Sequence, residues 1–249
     1  MPHDPAPTTA IRMAIARRLG RDAHRADGDV ATGTLLAVSA TTEPCAVVVP
    51  IKAFSVAKLR LAPVLDPAAR ATLARRLATV VIAAAQPLPV LVVCDDDEVA
   101  MWATAAGAEV VWAPGRGLDG AVIDGVAQAA AIGAGRVIVA HADLPLARDL
   151  PGLLTSRADV VLVPDRLRDG TNVAVVPAAA GFTFAYGAGS FDRHVAEARR
   201  LGLDLDVRVD AALAWDVDVP ADLDHVAVAA LLAPRPHERP TPLASGCTP

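Results

Sequence analysis

The chain has 249 residues, a formal net charge of −5, 53% hydrophobic residues and only 3% aromatic ones. That length allows one large α/β domain or two small ones, and a core dominated by Ala and Val suits helices packed on a parallel sheet. The negative charge gives no reason to expect nucleic acid as a partner, and no apolar run approaches the ~20 residues of a membrane helix, so a membrane partner is not expected either.

In chain order, residues 1–44 contain AIRMAIARRLG, where Ile11, Ala14, Ile15 and Leu19 recur at helical spacing beside an arginine-rich face. A short docking helix and a poorly ordered extension both fit this segment. It lacks the ordered basic, apolar and small-residue regions of a signal peptide. Cys45, Cys94 and Cys247 have neither metal-ligand nor redox-pair spacing and read as reduced thiols, which points to the cytoplasm.

From residue 45 strands and helices alternate. CAVVVPIK is a short apolar strand; a helix over 67–86 opens at DPAAR, where Asp66 can cap and Pro67 sits in the first turn. PVLVVCD is a second strand, followed by a helix near 97–106 and the strand AEVVWA. LDGAVIDGVAQAAAIG is helical and RVIVAHAD is a strand that needs cover on both faces. ADVVLVPD and TNVAVVP follow as strands, then a helix at 190–201, the strand LDVRVD and a final helix near 220–232. Residues 234–249 are proline-rich with little to bury, which predicts a disordered tail. The expected architecture is a single α/β domain over 45–233, a mostly parallel sheet with helices on both faces and ligands beyond the carboxyl ends of its strands.

Four segments can carry chemistry. PIKAFSVAKLRLAP, residues 50–63, sets Lys52, Lys58 and Arg60 just after the first strand, where three cations suit a phosphate chain or make a solvated basic loop. It has no P-loop glycines. HADLP ends a strand with Asp143, a carboxylate that points into the crevice or caps the next turn, with His141 as a satisfied core histidine in the second case. In AWDVDVPADL, Asp216 and Asp218 alternate along an extended segment and project to one side, where like charges favour a cation between them and hard oxygens suit Mg²⁺. Asp222 is read as the cap of the following helix. DGTN supplies Thr171 and Asn172, whose polar ends can bind an oxyanion, and YGAGS leads into a helix with Ser190 as its N-cap and free N–H groups as an anion site. The alternative reading is that Gly187 and Gly189 only turn the chain.

Taken in order, PIK, AKLRLAP, HADLP, PDR, GTN, YGAGSF with the following H and EA, and DVDVPADL resemble the phosphoenolpyruvate and 2-phospho-L-lactate guanylyltransferases of deazaflavin coenzyme F-420 biosynthesis, across about 46–226. The resemblance implies a nucleotidyltransferase-like Rossmann variant, with GTP and a phosphorylated three-carbon acid as substrates. It implies that Asp143, Asp216 and Asp218 hold Mg²⁺, that Lys52, Lys58 and Arg60 take the triphosphate, and that Thr171, Asn172, Gly187 and Ser190 take the acceptor. Phosphoenolpyruvate is the expected acceptor, with 2-phospho-L-lactate and 3-phospho-D-glycerate as alternatives. One departure is GLDGAV, where Asp119 replaces an expected Asn at the nucleotide. A sugar-phosphate or molybdopterin nucleotidyltransferase would carry a Gly-rich loop after the first strand, which PIKAFSVAKLRL lacks; a non-catalytic nucleotide-binding module would have no use for three carboxylates. A homodimer is compatible with the sequence.

Overall fold

The computed structural model describes residues 43–233, so the expected N-terminal helix, the proline-rich tail and Cys247 lie outside the described residues. Seven strands, β1 (Cys45–Pro50), β2 (Val90–Cys94), β3 (Glu109–Trp112), β4 (Arg136–Ala140), β5 (Val160–Pro164), β6 (Thr171–Pro177) and β7 (Leu205–Val207), form one sheet in the order β3-β2-β1-β4-β6-β5-β7. The helices are α1 (Pro67–Ala84), α2 (Asp97–Ala105), α3 (Gly117–Ala131), α4 (Ser190–Arg200) and α5 (Val226–Leu232). Every neighbouring pair is parallel except those of β6, which runs antiparallel to both β4 and β5. The cause is the short link at 165–170, too short for the crossover that a parallel neighbour needs.

Local chemistry sets the helix starts. The Asp66 carboxylate accepts the N–H of Ala69 at 2.8 Å with Pro67 next to it, and Asp96 accepts that of Val99 at 3.0 Å. Alternation along β1 then divides the core: Val47 and Val49 pack with Ala78, Val81 and Leu144 on one face of the sheet, Ala46 and Val48 with Val122, Ala129 and Phe191 on the other. A third apolar cluster joins Leu61, Leu73, Leu77, Val217 and Val228, so α1 and α5 press the segment around Val217 against the loop that follows β1. Arg76 reinforces this by donating to the carbonyls of Leu231 and Ala233.

The single helix expected near 220–232 is broken in two. Pro220–Asp224 is a 3-10 turn, His225 is extended (φ −69°, ψ 129°), and its ring accepts the N–H of Ala227 at 3.2 Å to start α5. Further 3-10 turns at Phe54–Val56 and Leu59–Leu61 shape the cationic loop, and another occupies Pro151–Thr155. Among the described residues no helix is long and apolar enough to cross a membrane.

Helix α3 lies directly on β1 and β2 at Gly125, where an added Cβ would sit 2.6 Å from methyl carbons of Val48 and Val93. Both valines are buried in the sheet, so the helix itself would have to move. Gly125→Ala is therefore expected to destabilise the fold by roughly 1–3 kcal/mol, net of the better helix propensity of Ala. Urea unfolding of the two proteins measures it as a lower midpoint at unchanged slope.

Candidate active site

The chain leaves β1 towards β2 and β3 on one side and places β4 on the other, so the order reverses between β1 and β4, where open α/β sheets bind ligands. A crevice of about 640 Å³ opens there, between the loop after β1 and the start of β6. Because β6 is antiparallel, its first residues, Thr171 and Asn172, arrive at the same end of the sheet as the carboxyl ends of β1 and β4.

One wall is held by Lys58. Its backbone adopts the left-handed conformation (φ 54°, ψ 41°), and its mostly buried ammonium donates to Asp143 Oδ2 at 2.6 Å and to the carbonyl of Val217 at 2.5 Å. Asp218 Oδ1 lies 3.6 Å from the same nitrogen, and its Oδ2 accepts from Arg60 at 2.9 Å. The N–H of Val217 donates to the carbonyl of Asp143 at 3.2 Å, so the two aspartate segments are tied through backbone as well. Val217 itself is fully buried, which turns Asp216 and Asp218 to its other side, as the alternation predicts.

Charge balance follows from this geometry. Burial alone would raise the Asp143 pKa, but Lys58 and His141 hold it below the ordinary carboxylate range. Burial opposes the Lys58 charge, yet Asp143, Asp218 and Asp216 raise its pKa above the usual lysine value. Asp216 is raised by burial and by the charges of Asp143 and Asp218, with the Asn172 side chain acting against the shift. Asp143 and Asp218 thus share one buried ammonium, with the Asp216 charge close enough to act on it. Among the described residues no group of three or more His, Cys, Asp or Glu side chains is gathered as a metal site; the ammonium of Lys58 stands between Asp143 and Asp218.

The opposite wall is a hydrogen-bonded stack behind the crevice surface. The Ser190 hydroxyl accepts the N–H of Thr171 at 3.2 Å, and the Thr171 hydroxyl meets His194 Nδ1 at 3.0 Å. His194 Nε2 accepts the N–H of Ala185 at 3.0 Å, and Arg193 gathers the carbonyls of Ala185, Tyr186 and Ala188 at 2.7–3.1 Å. Asp169 Oδ1 takes the N–H of Gly189 at 2.9 Å.

The structure brings most of the sequence candidates together: Lys52, Lys58, Arg60, Asp143, Asp216 and Asp218 border the crevice, as do Asn172, Gly187 and Ser190. Lys52 and Arg60 are exposed at its rim. Thr171 is buried behind the wall, with its hydroxyl turned to His194. Asp119 does not border the crevice; its carboxylate accepts the N–H of Tyr186 at 2.8 Å and fastens α3 to the loop before Ser190. Three expectations need correction. Ser190 is the first helical residue and not the N-cap, a place taken by Gly189 in the left-handed conformation (φ 69°). The helix start also offers fewer free donors than expected, because the N–H groups of Ser190 and Phe191 already bond the carbonyls of Gly187 and Asp169 at 3.0 Å each. Asp222 does not cap the following helix, which His225 caps; it accepts the N–H groups of Asp218 and Val219 at 2.7 and 2.8 Å and pairs with Arg166.

Four supporting residues have roles that the sequence reading did not assign, although Arg166 and His194 lie in motifs quoted above and His141 was considered as a core histidine. His194 lies one helical turn after Ser190 on the same inward face, a spacing that could have found it. Arg193 and Arg166 act on backbone carbonyls and on the Trp215 ring, which Arg166 covers at 3.9 Å, and nothing in the sequence signals those contacts. His141 is not a satisfied core histidine: its Nε2 is buried without a hydrogen-bond partner beside the crevice, as is Asp143 Oδ1.

A sheet of this order, with its crevice at the switch point, is a nucleotidyltransferase-like α/β fold. Two solved structures share the fold: a protein from Desulfovibrio desulfuricans G20 assigned to the nucleotide-diphospho-sugar transferases (TM-score 0.59, 16% identity, 76% of this chain and 96% of that one) and a nucleotidyl transferase from Methanothermobacter (TM-score 0.50, 16% identity, 73% and 94%). The family described as "Guanylyl transferase CofC like" matches residues 45–230, and the chain belongs to it. Its relatives include the phosphoenolpyruvate guanylyltransferase of Sphaerobacter thermophilus, 39% identical over 72% of this chain and 91% of that protein. The 2-phospho-L-lactate guanylyltransferase of Methanothermobacter thermautotrophicus is 34% identical over 73% and 83%. The chain is thus a guanylyltransferase by family, an enzyme of the nucleotidyltransferase class.

His194 gives this wall a pH limit. Burial lowers its pKa to about 4, Arg193 and His141 push the same way, and Asp119 and Glu197 push against it. An unfolded histidine titrates near ~6.5, so between these values the unfolded chain binds the extra proton. The stability that this histidine contributes is complete above that range and is lost as pH falls towards about 4, by roughly 3 kcal/mol at ~1.4 kcal/mol per unit. Urea unfolding across pH 4–7 is expected to show a steeper acid loss in the parent protein than in His194→Gln, which lacks that titration.

Proposed function

We propose that the enzyme transfers the guanylyl group of GTP to the phosphate of phosphoenolpyruvate, giving enolpyruvoyl-2-diphospho-5'-guanosine and pyrophosphate, on the route to coenzyme F-420. The observation that carries this reading is the facing of the Lys58–Asp143–Asp218 wall and the Ser190 wall across one crevice in a member of this family. The first wall suits a polyphosphate with its counter-cation. The second suits a small anion.

The chemistry of the lining suits a hard divalent cation, with three carboxylates on one crevice and Asp143 Oδ1 buried without a hydrogen-bond partner, although the Lys58 ammonium stands between Asp143 and Asp218 and the three are not gathered at one point. Asp143, Asp216 and Asp218 would hold Mg²⁺, which when bound supplies charge neutralisation at the reacting phosphate. Lys52 and Arg60, exposed at the rim, take the outer phosphates, whereas Lys58, expected from the sequence to join them, is engaged by Asp143, the Val217 carbonyl and Asp218. The acceptor's phosphate oxygen is already anionic at neutral pH and attacks the α-phosphorus in line, so no general base is needed and the protein acts through positioning and charge. Ser190, Gly187 and Asn172 hold the acceptor at the opposite wall, with Thr171 supporting Ser190 from behind.

Phosphoenolpyruvate is preferred over 2-phospho-L-lactate because the relative named for it is the more similar of the two, 39% against 34% identical. Pyrophosphate release, measured with GTP or ATP against phosphoenolpyruvate, 2-phospho-L-lactate and 3-phospho-D-glycerate, tests the reading. The expected result is release that requires Mg²⁺ and is fastest with GTP and phosphoenolpyruvate. Asp216→Asn is expected to lose roughly 100-fold or more of that rate, with cooperative unfolding retained, because a ligand is lost without core volume. Equal rates with all three acids, or an active Asp216→Asn enzyme, would count against it.

A further inference from the structure

The wall opposite Lys58 contains a histidine that the mechanism above does not use. His194 is fully buried, and its two ring nitrogens reach two different parts of the wall: Nε2 the N–H of Ala185, at the head of the loop carrying Gly187, and Nδ1 the hydroxyl of Thr171, the first residue of β6. A backbone N–H can only donate, so Nε2 must be the lone-pair nitrogen. The neutral ring then carries its proton on Nδ1 and donates it to Thr171 Oγ1.

Two bonds of fixed direction meet at Thr171. Thr171 Oγ1 receives a proton from His194, and the N–H of the same residue donates to Ser190 Oγ at 3.2 Å. Ser190 therefore spends a lone pair on the protein interior, and its own hydroxyl proton is left to be donated elsewhere. Ser190 is buried and borders the crevice. A hydroxyl that accepts one internal N–H keeps its own proton to donate, and an anion can take it.

We propose that His194 is a positioning residue for the acceptor: as the neutral Nδ1–H tautomer it locks the Gly187 loop to the start of β6, and so fixes the place of Ser190, whose hydroxyl proton is free for the acceptor's phosphate or carboxylate. This rests on the reading that the Ser190 wall binds the acceptor and not GTP. The ring neighbours support a fixed orientation: Phe182, Phe184 and Tyr186 surround His194 with centroids at 5.9, 6.0 and 5.0 Å. A protonated His194 would have to donate at both nitrogens, and the Ala185 N–H would then face a second donor.

The test uses three variants of the whole chain. Asn at this position keeps a donor near Nδ1, Gln keeps an acceptor near Nε2, and Phe keeps the ring and neither bond. KM is measured for phosphoenolpyruvate and for GTP at pH 7.5. His194→Phe is expected to raise the KM for phosphoenolpyruvate about tenfold or more and that for GTP less than about twofold, with His194→Asn and His194→Gln each restoring part of the loss. Unchanged KM values in folded variants, or equal rises for both substrates, would overturn the proposal. Ser190→Ala separates it from the reading beneath: if that variant leaves the KM for phosphoenolpyruvate unaltered, the acceptor wall is misassigned and the proposal falls with it. If Ser190→Ala raises that KM and the folded His194 variants do not, only the proposal fails. Should the variants not fold, imidazole ¹⁵N shifts of the unsubstituted protein decide: a neutral Nδ1–H ring for His194 at pH 6.5 is expected, and a charged or Nε2–H ring overturns it.

Discussion

The site depends on one buried ammonium. Asp143 and the Asp216–Asp218 pair come from segments more than seventy residues apart, and three carboxylates at one place repel unless a cation stands among them. Lys58 supplies it, reaching Asp143, the Val217 carbonyl and Asp218 together. To do so the backbone at Lys58 adopts the left-handed conformation, which costs a non-glycine residue ~1 kcal/mol or more. The ion pair and the carbonyl bond offset that cost. The apolar cluster of Leu61, Leu73, Leu77, Val217 and Val228 closes around the same segment from below, so packing and charge act on one place.

The second wall has the opposite design. Its inner face is built from hydroxyl, imidazole and backbone groups whose donors meet acceptors, with the Arg193 guanidinium on the loop carbonyls and Thr171 on Ser190. Its position follows from one topological fact, the reversal of β6. Had β6 run parallel to β4, Thr171 and Asn172 would have emerged at the far end of the sheet. The hairpin link at 165–170, stapled by Asp165 through the N–H groups of Leu167, Asp169 and Gly170, is therefore as much part of the site as the residues that border it.

Much of this was legible in the sequence because the signals were local. Asp66 followed by Pro67 marked a helix start, the apolar runs marked the strands, and the Asp-Val-Asp alternation placed two carboxylates on one side. What was not legible is nonlocal or directional. No pattern in TNVAVVP says that the strand is antiparallel, and no spacing says that Lys58 will pair with Asp143. The break at His225 escaped because Asp222 turned its carboxylate back to Asp218 and Val219, ending the first turn where apolar periodicity ran on. His194 lay in plain view four residues after Ser190, but its importance lies in which proton it carries, and only its two partners reveal that. Asp119 has a structural use in fastening Tyr186, independent of any contact with the nucleotide.

The account stands on the claim that Lys58 holds the aspartate wall together. A double-mutant cycle of Lys58→Met and Asp143→Asn, followed by urea unfolding, measures that coupling directly. A favourable interaction of about 1 kcal/mol or more is expected for a mostly buried, hydrogen-bonded pair. Additive losses, with coupling indistinguishable from zero, would mean that the wall is assembled by packing alone and would contradict the claim.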